Sequence, residues 1–413
     1  MQPSCLSWIC RRRQAMRDYE PEKMKKITFT GIRRVMARAN QLEAEGESII
    51  HFEVGQPDFV TPKYIRDAAC VSLQAGNTRY TSNYGNLALR KAISAKLEKE
   101  NHIFADPESE IMVTVGGEEA MAAAVLALVD AGDEVLLTDP GYSPYDSMVK
   151  IANGIPVYVS LDESRNFNFD LQELESKITT KTKLLVLCNP SNPTGTMIDR
   201  DNLAALSEVC IRHDLLVIAD EAYERVIYDG NEHVSLASLP GMFERTITIH
   251  SFSKSYSMCG FRIGYLAASK SLMQILIRCH QKMVLCATSF AQDAALAALG
   301  KESDEMNRML DAFDQRRKVI YDTLTELKIP CNRPQAAFYV FPNVSCLGMD
   351  GDQFALRFLE ENGVACVPGR DFGENAKNNV RISYAASLED CLEGMARLKQ
   401  FVEKVRAEEG EKS

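Results

Sequence analysis

Between residues 60 and 320 the chain alternates short apolar runs with longer stretches of helical period. The runs at 112–115, 135–138, 155–160, 184–188, 215–219 and 246–250 read as strands. The last three are apolar on both faces, and each follows a helical or turn segment, the mark of buried parallel strands in an α/β sheet. A helix is predicted over 120–129, where Glu118 and Glu119 put negative charge at its N-terminus. The flanks differ. Residues 25–45 have the pattern of one amphipathic helix, and 304–327 that of a long charged one. Beyond Pro330 the pattern predicts a strand at 338–341, a helix at 352–362, a strand at 380–384 and a helix at 388–405. The expectation is an α/β chain in two parts. A large domain spans 61–320, and a smaller α+β domain spans 321–413, joined by the segment 26–60; residues 1–25 form an N-terminal extension.

Bulk properties narrow the function. At 413 residues the chain is too long for one compact core. Its net charge of -10 argues against a nucleic-acid partner, since phosphate backbones need a basic face. No apolar run approaches the ~20 residues of a membrane span, so no membrane partner is expected. The twelve cysteines are scattered and contain no CxxC pair, so no metal or thioredoxin-like site is indicated. Cys70, Cys188, Cys210, Cys286 and Cys366 lie in apolar stretches and read as buried, reduced thiols of a cytoplasmic protein. Near the start, Arg11-Arg12-Arg13 follow a short apolar patch, the reverse of a signal peptide. Those first residues read as a loose extension.

The unusual residues fall at the C-terminal ends of the predicted strands. Gly116-Gly117 follows the first, and Asn189-Pro190-Ser191-Asn192-Pro193-Thr194-Gly195 follows 184–188. Asp220-Glu221-Ala222-Tyr223 follows 215–219, and Ser251-Phe252-Ser253-Lys254 follows 246–250. Open α/β sheets bind ligands in the crevice beyond those ends. Each motif has a plain alternative: a turn, a stiff loop, a helix cap, a surface lysine. Together they suit a carbonyl cofactor that carries a phosphate. Lys254 could form a Schiff base, while hydroxyls and Arg262, eight residues on, could hold the phosphate. The paired glycines offer backbone N–H groups to an anion, and Asp220 could keep a ring nitrogen protonated.

This set, with Val380-Arg381-Ile382-Ser383-Tyr384, resembles the class I and II aminotransferases, pyridoxal-phosphate enzymes of fold type I. The resemblance runs from about residue 27 to the last helix and implies a mostly parallel sheet flanked by helices. It implies Lys254 as the Schiff-base lysine and proton carrier, Asp220 as the pyridinium partner, and Tyr223 with Asn192 as donors to the ring's phenolic oxygen. Gly117, Glu118, Ser251, Ser253 and Arg262 would form the phosphate cup, with Tyr142 over the ring. Arg381 would bind the substrate α-carboxylate, and Gly55 would let the backbone approach the substrate. Tyr80 would reach the phosphate of a neighbouring subunit, which implies a homodimer with shared sites.

The implied reaction moves an amino group between an L-amino acid and a 2-oxo acid such as 2-oxoglutarate, with aspartate or an aromatic amino acid favoured. One departure bears on this choice. Some dicarboxylate-specific members carry lysine right after the paired glycines, where this chain has Glu118, so aspartate recognition by that route is in doubt and falls to another arginine such as Arg79 or Arg278. Ala336 also stands where many relatives have glycine. The alternative on the same cofactor is a C–S lyase acting by β-elimination, or a related synthase. A transcription regulator is disfavoured, because only about 25 residues precede the resemblance, too few for a winged helix.

Overall fold

A computed structural model describes residues 19–27, 31–301 and 303–410. Most of the N-terminal extension expected over 1–25 lies outside the described residues. The strands in chain order are β1 (Ile50–His51), β2 (Ile111–Thr114), β3 (Glu134–Asp139), β4 (Ile155–Ser160), β5 (Thr182–Cys188) and β6 (Leu216–Asp220). They continue with β7 (Thr246–Ser251), β8 (Gly264–Ala267), β9 (Tyr339–Val340), β10 (Val364–Ala365), β11 (Val367–Pro368) and β12 (Val380–Ser383).

Seven strands form the main sheet in the order β2-β8-β7-β6-β5-β3-β4. All six predicted strands are in it and run the same way. The seventh, β8, is antiparallel to both β2 and β7 and was not predicted. It is only four residues long and begins two residues after Arg262, so its own period is too short to read. Leu184, Leu185, Val186, Val217, Ile218, Ile247 and Ile249 are fully buried on the two faces of the sheet, as expected of strands covered by helices on both sides. Register brings the chemistry level: Cys188 pairs with Asp220, and Asp220 with Ile249. The ends of β5, β6 and β7 therefore open into the same crevice.

A separate sheet, β11-β12-β9, is antiparallel. It packs with the helices Gly351–Asn362 and Leu388–Gly410 around Phe338, Phe354, Phe358 and Phe401. The N-terminal segment joins this part. β1 pairs in parallel with β10, and Ala39 and Leu42 of the helix Gly31–Ala44 pack against Leu359 and Ala365. The long helix Asp304–Glu326 runs unbroken past residue 320. Arg317, fully buried within it, pairs with Asp229 and Asp314, which ties this helix to the loop after Tyr228.

The cysteine expectation needs one correction. All ten described cysteines are free, and Cys210 and Cys366 are buried, but Cys70 is exposed and Cys188 and Cys286 are half-buried. Cys70 falls on the outward face of the helix Lys63–Gln74, whose buried stripe is Ile65, Ala69 and Ser72. An apolar neighbourhood in sequence did not fix the face of the helix.

Candidate active site

A cavity of about 480 Å³ opens at the sheet's C-terminal edge. Its wall holds Gly55, Gly117, Glu118, Tyr142, Asn192, Asp220, Tyr223, Ser251, Ser253, Lys254, Arg262 and Arg381. Every predicted site residue is thus brought together except Tyr80, which is 85% exposed and lies outside this cavity. Neither Arg79 nor Arg278 lines it.

Three cations meet here without a carboxylate partner. Lys254, on the one-turn helix Phe252–Ser255, donates from Nζ to the carbonyl of Gly55 at 2.6 Å. Arg262 donates to the carbonyl of Cys259. Arg381 is 3% exposed, and its nearest partners are Asn192 Oδ1 at 3.1 Å and the carbonyl of Glu53 at 2.6 Å. Its Nε has no partner, while its guanidinium lies over the rings of Tyr339 and Phe372. Among the described residues none of the three forms an ion pair. Cations left unpaired in a chain of net charge -10 point to an anionic ligand.

The donors for one such anion are already assembled. The helix Gly116–Leu128 starts at the end of β2, with Gly116 at φ +79°. A Cβ at Gly116 would stand 2.6 Å from Arg262 Nη2, and one at Gly117 would stand 3.7 Å from Ser251 Cβ. The helix N-terminus, Ser251 and the guanidinium therefore form one cradle. Gly264 of β8 lets that cradle close, since a Cβ there would come within 3.0 Å of Gly117 N.

Asp220 faces the cavity from the end of β6. Burial raises its pKa, and two neutral donors work against that: Tyr145 OH on Oδ2 at 2.7 Å and Ala222 N–H on Oδ1 at 3.1 Å. A protonated ring nitrogen would supply the counter-charge that this buried carboxylate lacks. Burial also holds the Tyr223 phenol well above its usual range, with Tyr339 OH 2.9 Å away adding to the effect. Tyr223 is therefore a hydrogen-bond donor, not an anion. Tyr142 OH donates to Glu118 Oε1 at 2.7 Å, which keeps the Glu118 carboxylate in the cavity wall.

Several wall residues escaped the sequence reading. Tyr145 follows Tyr142 by three positions, and that spacing in an aromatic turn was the available signal. Tyr339 on β9 is as buried as its neighbours Phe338 and Val340, and its hydroxyl fills the place a side chain at Gly55 would take, with a Cβ there only 2.3 Å away. The glycine at 55 thus admits a protein hydroxyl. Ile32 and Met36 reach the wall from the helix Gly31–Ala44, a contact between distant parts of the chain that no local pattern carries.

Behind Asp220 lies a buried ionic cluster. His250 Nδ1 is 3.1 Å from Glu224, and His233 Nε2 is 3.0 Å from Glu221. Lys96 donates to Glu224 and to Asn101 Oδ1. Glu221, Glu224 and His233 are close enough to share a cation, and of these three Glu224 is paired with the Lys96 ammonium. Burial alone would raise the pKa of Glu224, yet His250 and Lys96 outweigh it and hold the carboxyl well below its usual range.

Known proteins resemble this chain in sequence and in fold. The family described as "Aminotransferase class I and II" matches residues 47–398. An aspartate aminotransferase of Bacillus subtilis (strain 168) is 40% identical over 377 residues, 90% of this chain and 95% of the relative. Aromatic-amino-acid aminotransferase 2 of Thermococcus litoralis is 35% identical over 383 residues, 92% and 97% of the two chains. Among solved structures, the aromatic aminotransferase from Pyrococcus horikoshii OT3 superposes with a TM-score of 0.85 at 38% identity, covering 89% of this chain and 99% of the other. The aspartate aminotransferase from Thermus thermophilus with maleate gives 0.87 at 33%, covering 93% and 100%. Fold, crevice and kinship agree: the chain belongs to the class I and II aminotransferases, and it is an enzyme of the transaminase class.

Proposed function

We propose that the cavity holds pyridoxal 5'-phosphate and that the enzyme exchanges an amino group between an L-amino acid and a 2-oxo acid. The observation that carries this is the meeting of Lys254, Asp220 and the Gly117–Ser251–Arg262 cradle in one cavity. When bound, the cofactor supplies an aldehyde that links to amines and a ring that draws electrons from the substrate Cα. Lys254 is the amine held for that link and the base that takes the Cα proton. Asp220 holds the proton on the ring nitrogen. Tyr223 OH donates to the ring's phenolic oxygen. Asn192 does the same from Nδ2, because its Oδ1 is engaged by Arg381. Gly117 and Glu118 offer backbone N–H groups to the phosphate, Ser251, Ser253 and Arg262 complete its cup, and Tyr142 lies over the ring. Arg381 takes the substrate α-carboxylate, a task for which its orphaned Nε and planar fork suit it.

The amino donor we favour has an aromatic or other large apolar side chain. Glu118 sits in the wall, and the cavity's three cations each have a role, so no cation remains among the described lining residues for a second carboxylate. Two relatives are named for aspartate and for aromatic amino acids, and Glu118 in the wall favours the second of these. We also infer a homodimer in which exposed Tyr80 serves the partner's site, and a small domain of 321–413 with 26–60, supported by its own sheet. No helix among the described residues is long and apolar enough to cross a membrane. The free thiols support a cytoplasmic setting.

A panel of amino acids against 2-oxoglutarate, read by cofactor absorbance, tests the reaction. Lys254→Ala should abolish turnover while still binding the phosphate end of the cofactor. Near-normal turnover by that variant would falsify the assignment. Release of pyruvate and ammonia without an acceptor would favour β-elimination instead.

A further inference from the structure

The helix Gly31–Ala44 owes its place over the cavity to a residue far along the chain. Asp371 Oδ2 accepts the backbone N–H of Ile32 at 2.7 Å. Asp371 Oδ1 lies only 2.4 Å from where a Cβ on Gly31 would stand, so the carboxylate is seated directly against the first turn. A carboxylate there satisfies N–H groups that a helix start leaves open and faces the positive end of its dipole. Burial raises the Asp371 pKa, while the N–H groups of Gly31 and Ile32 and the charge of Arg34 act against it, and Asp352 adds to it.

Asp371 belongs to the short turn Gly369–Phe372, which touches the site at two further points. The Phe372 ring lies 5.1 Å from the Arg381 guanidinium. The Phe372 carbonyl accepts the N–H of Gly141, beside Tyr142, at 2.7 Å. Arg370 fixes the turn from outside through Asp352 and Glu374. One turn thus sets the helix start, the flank of Arg381 and the Tyr142 loop together. Ile32 and Met36 are the helix's contribution to the cavity wall, and Met36 is 37% exposed.

We propose that Asp371 is a positioning residue for the substrate: it pins the first turn of this helix so that Ile32 and Met36 form the apolar wall of the side-chain site. The inference rests on the transaminase reading above and on Arg381 as the α-carboxylate anchor. Asp371 touches neither substrate nor cofactor. Its effect must therefore depend on how far the substrate's side chain extends. A large apolar side chain reaches the wall, and the methyl group of alanine does not.

The test measures kcat and KM of the holoenzyme for phenylalanine and for alanine at a saturating 2-oxo acid. Asp371→Ala should raise the KM for phenylalanine about five- to tenfold, as expected when a charge-assisted bond is lost. It should leave the KM for alanine and both kcat values near wild type. Asp371→Asn keeps an acceptor oxygen in the same shape and should fall between. Met36→Ala should raise the KM for phenylalanine in the same way, and adding Asp371→Ala to it should cost less than the two effects summed. Equal changes for both amino acids, or strict additivity, would overturn the proposal. A wild-type enzyme that accepts an amino group from neither donor sinks the reading of a large apolar donor, and this inference with it. A competent wild type with unselective variants sinks this inference alone.

Discussion

Asp220 is the residue on which folding and chemistry pull hardest against each other. Burial favours its neutral form, yet the proposed role needs the anion. The bond from Tyr145 OH and the N–H of Ala222 act against burial and favour the anion. Tyr145→Phe keeps the ring's packing against Tyr142, 5.3 Å between centroids, and removes only the donor. Losing a bond to a charged acceptor should lower kcat/KM about tenfold. The sign of the pH effect follows. The lost donor had lowered the Asp220 pKa, so the variant's pKa rises, and activity fails at a higher pH on the acid side. A pH profile of kcat/KM checks this: an acid limb that stays in place would mean Tyr145 serves packing alone. Tyr145 was legible only as an aromatic near Tyr142, because the hydrogen bond joins residues 75 apart in sequence. Lys254, Asp220 and Asn192 were legible because each lies at or just past the end of a strand that is itself plain in the pattern.

At the scale of elements, the uniform apolar runs revealed the six co-directional strands, while contacts between distant segments stayed hidden. β8 is too short for its period to speak, and the helix Gly31–Ala44 shows one apolar stripe without saying that its first turn faces the cavity. The buried ionic cluster is another such contact. It joins the helix Leu87–Lys96 to the turn after β6 and to His250 on β7. Removing one partner of a buried pair leaves the other uncompensated, which costs about 3–5 kcal/mol. Lys96→Met should therefore destabilise by about that amount in a denaturant titration, with activity per folded molecule retained. The pH dependence has a definite sign. The folded pKa of Glu224 lies below its unfolded value, so its contribution is present above the usual carboxylate range and lost as pH falls through the folded value. The loss in Lys96→Met should accordingly be largest at neutral pH and shrink in acid. A destabilisation that is constant with pH would show that the ammonium acts through packing only.

For the whole molecule the open question is whether one chain makes a complete site. Tyr80 is 85% exposed and does not line the cavity of its own chain, whereas an isologous dimer would carry it to the partner's phosphate cup. Mixing two defective subunits separates these cases. Lys254→Ala has no working amine, and Tyr80→Ala lacks the donated hydroxyl. In a shared-site dimer, a hybrid of the two has one site with neither lesion and one with both. Random pairing of equal amounts makes half the dimers hybrids, so about one quarter of all sites should recover full activity. With self-contained sites the mixture would instead show half the activity of Tyr80→Ala, since Lys254→Ala contributes none. The comparison is best made at limiting cofactor, where loss of a phosphate contact weighs most. Recovery above the Tyr80→Ala level after co-refolding, absent when the separately folded proteins are simply combined, would mean that the active site is built by two chains.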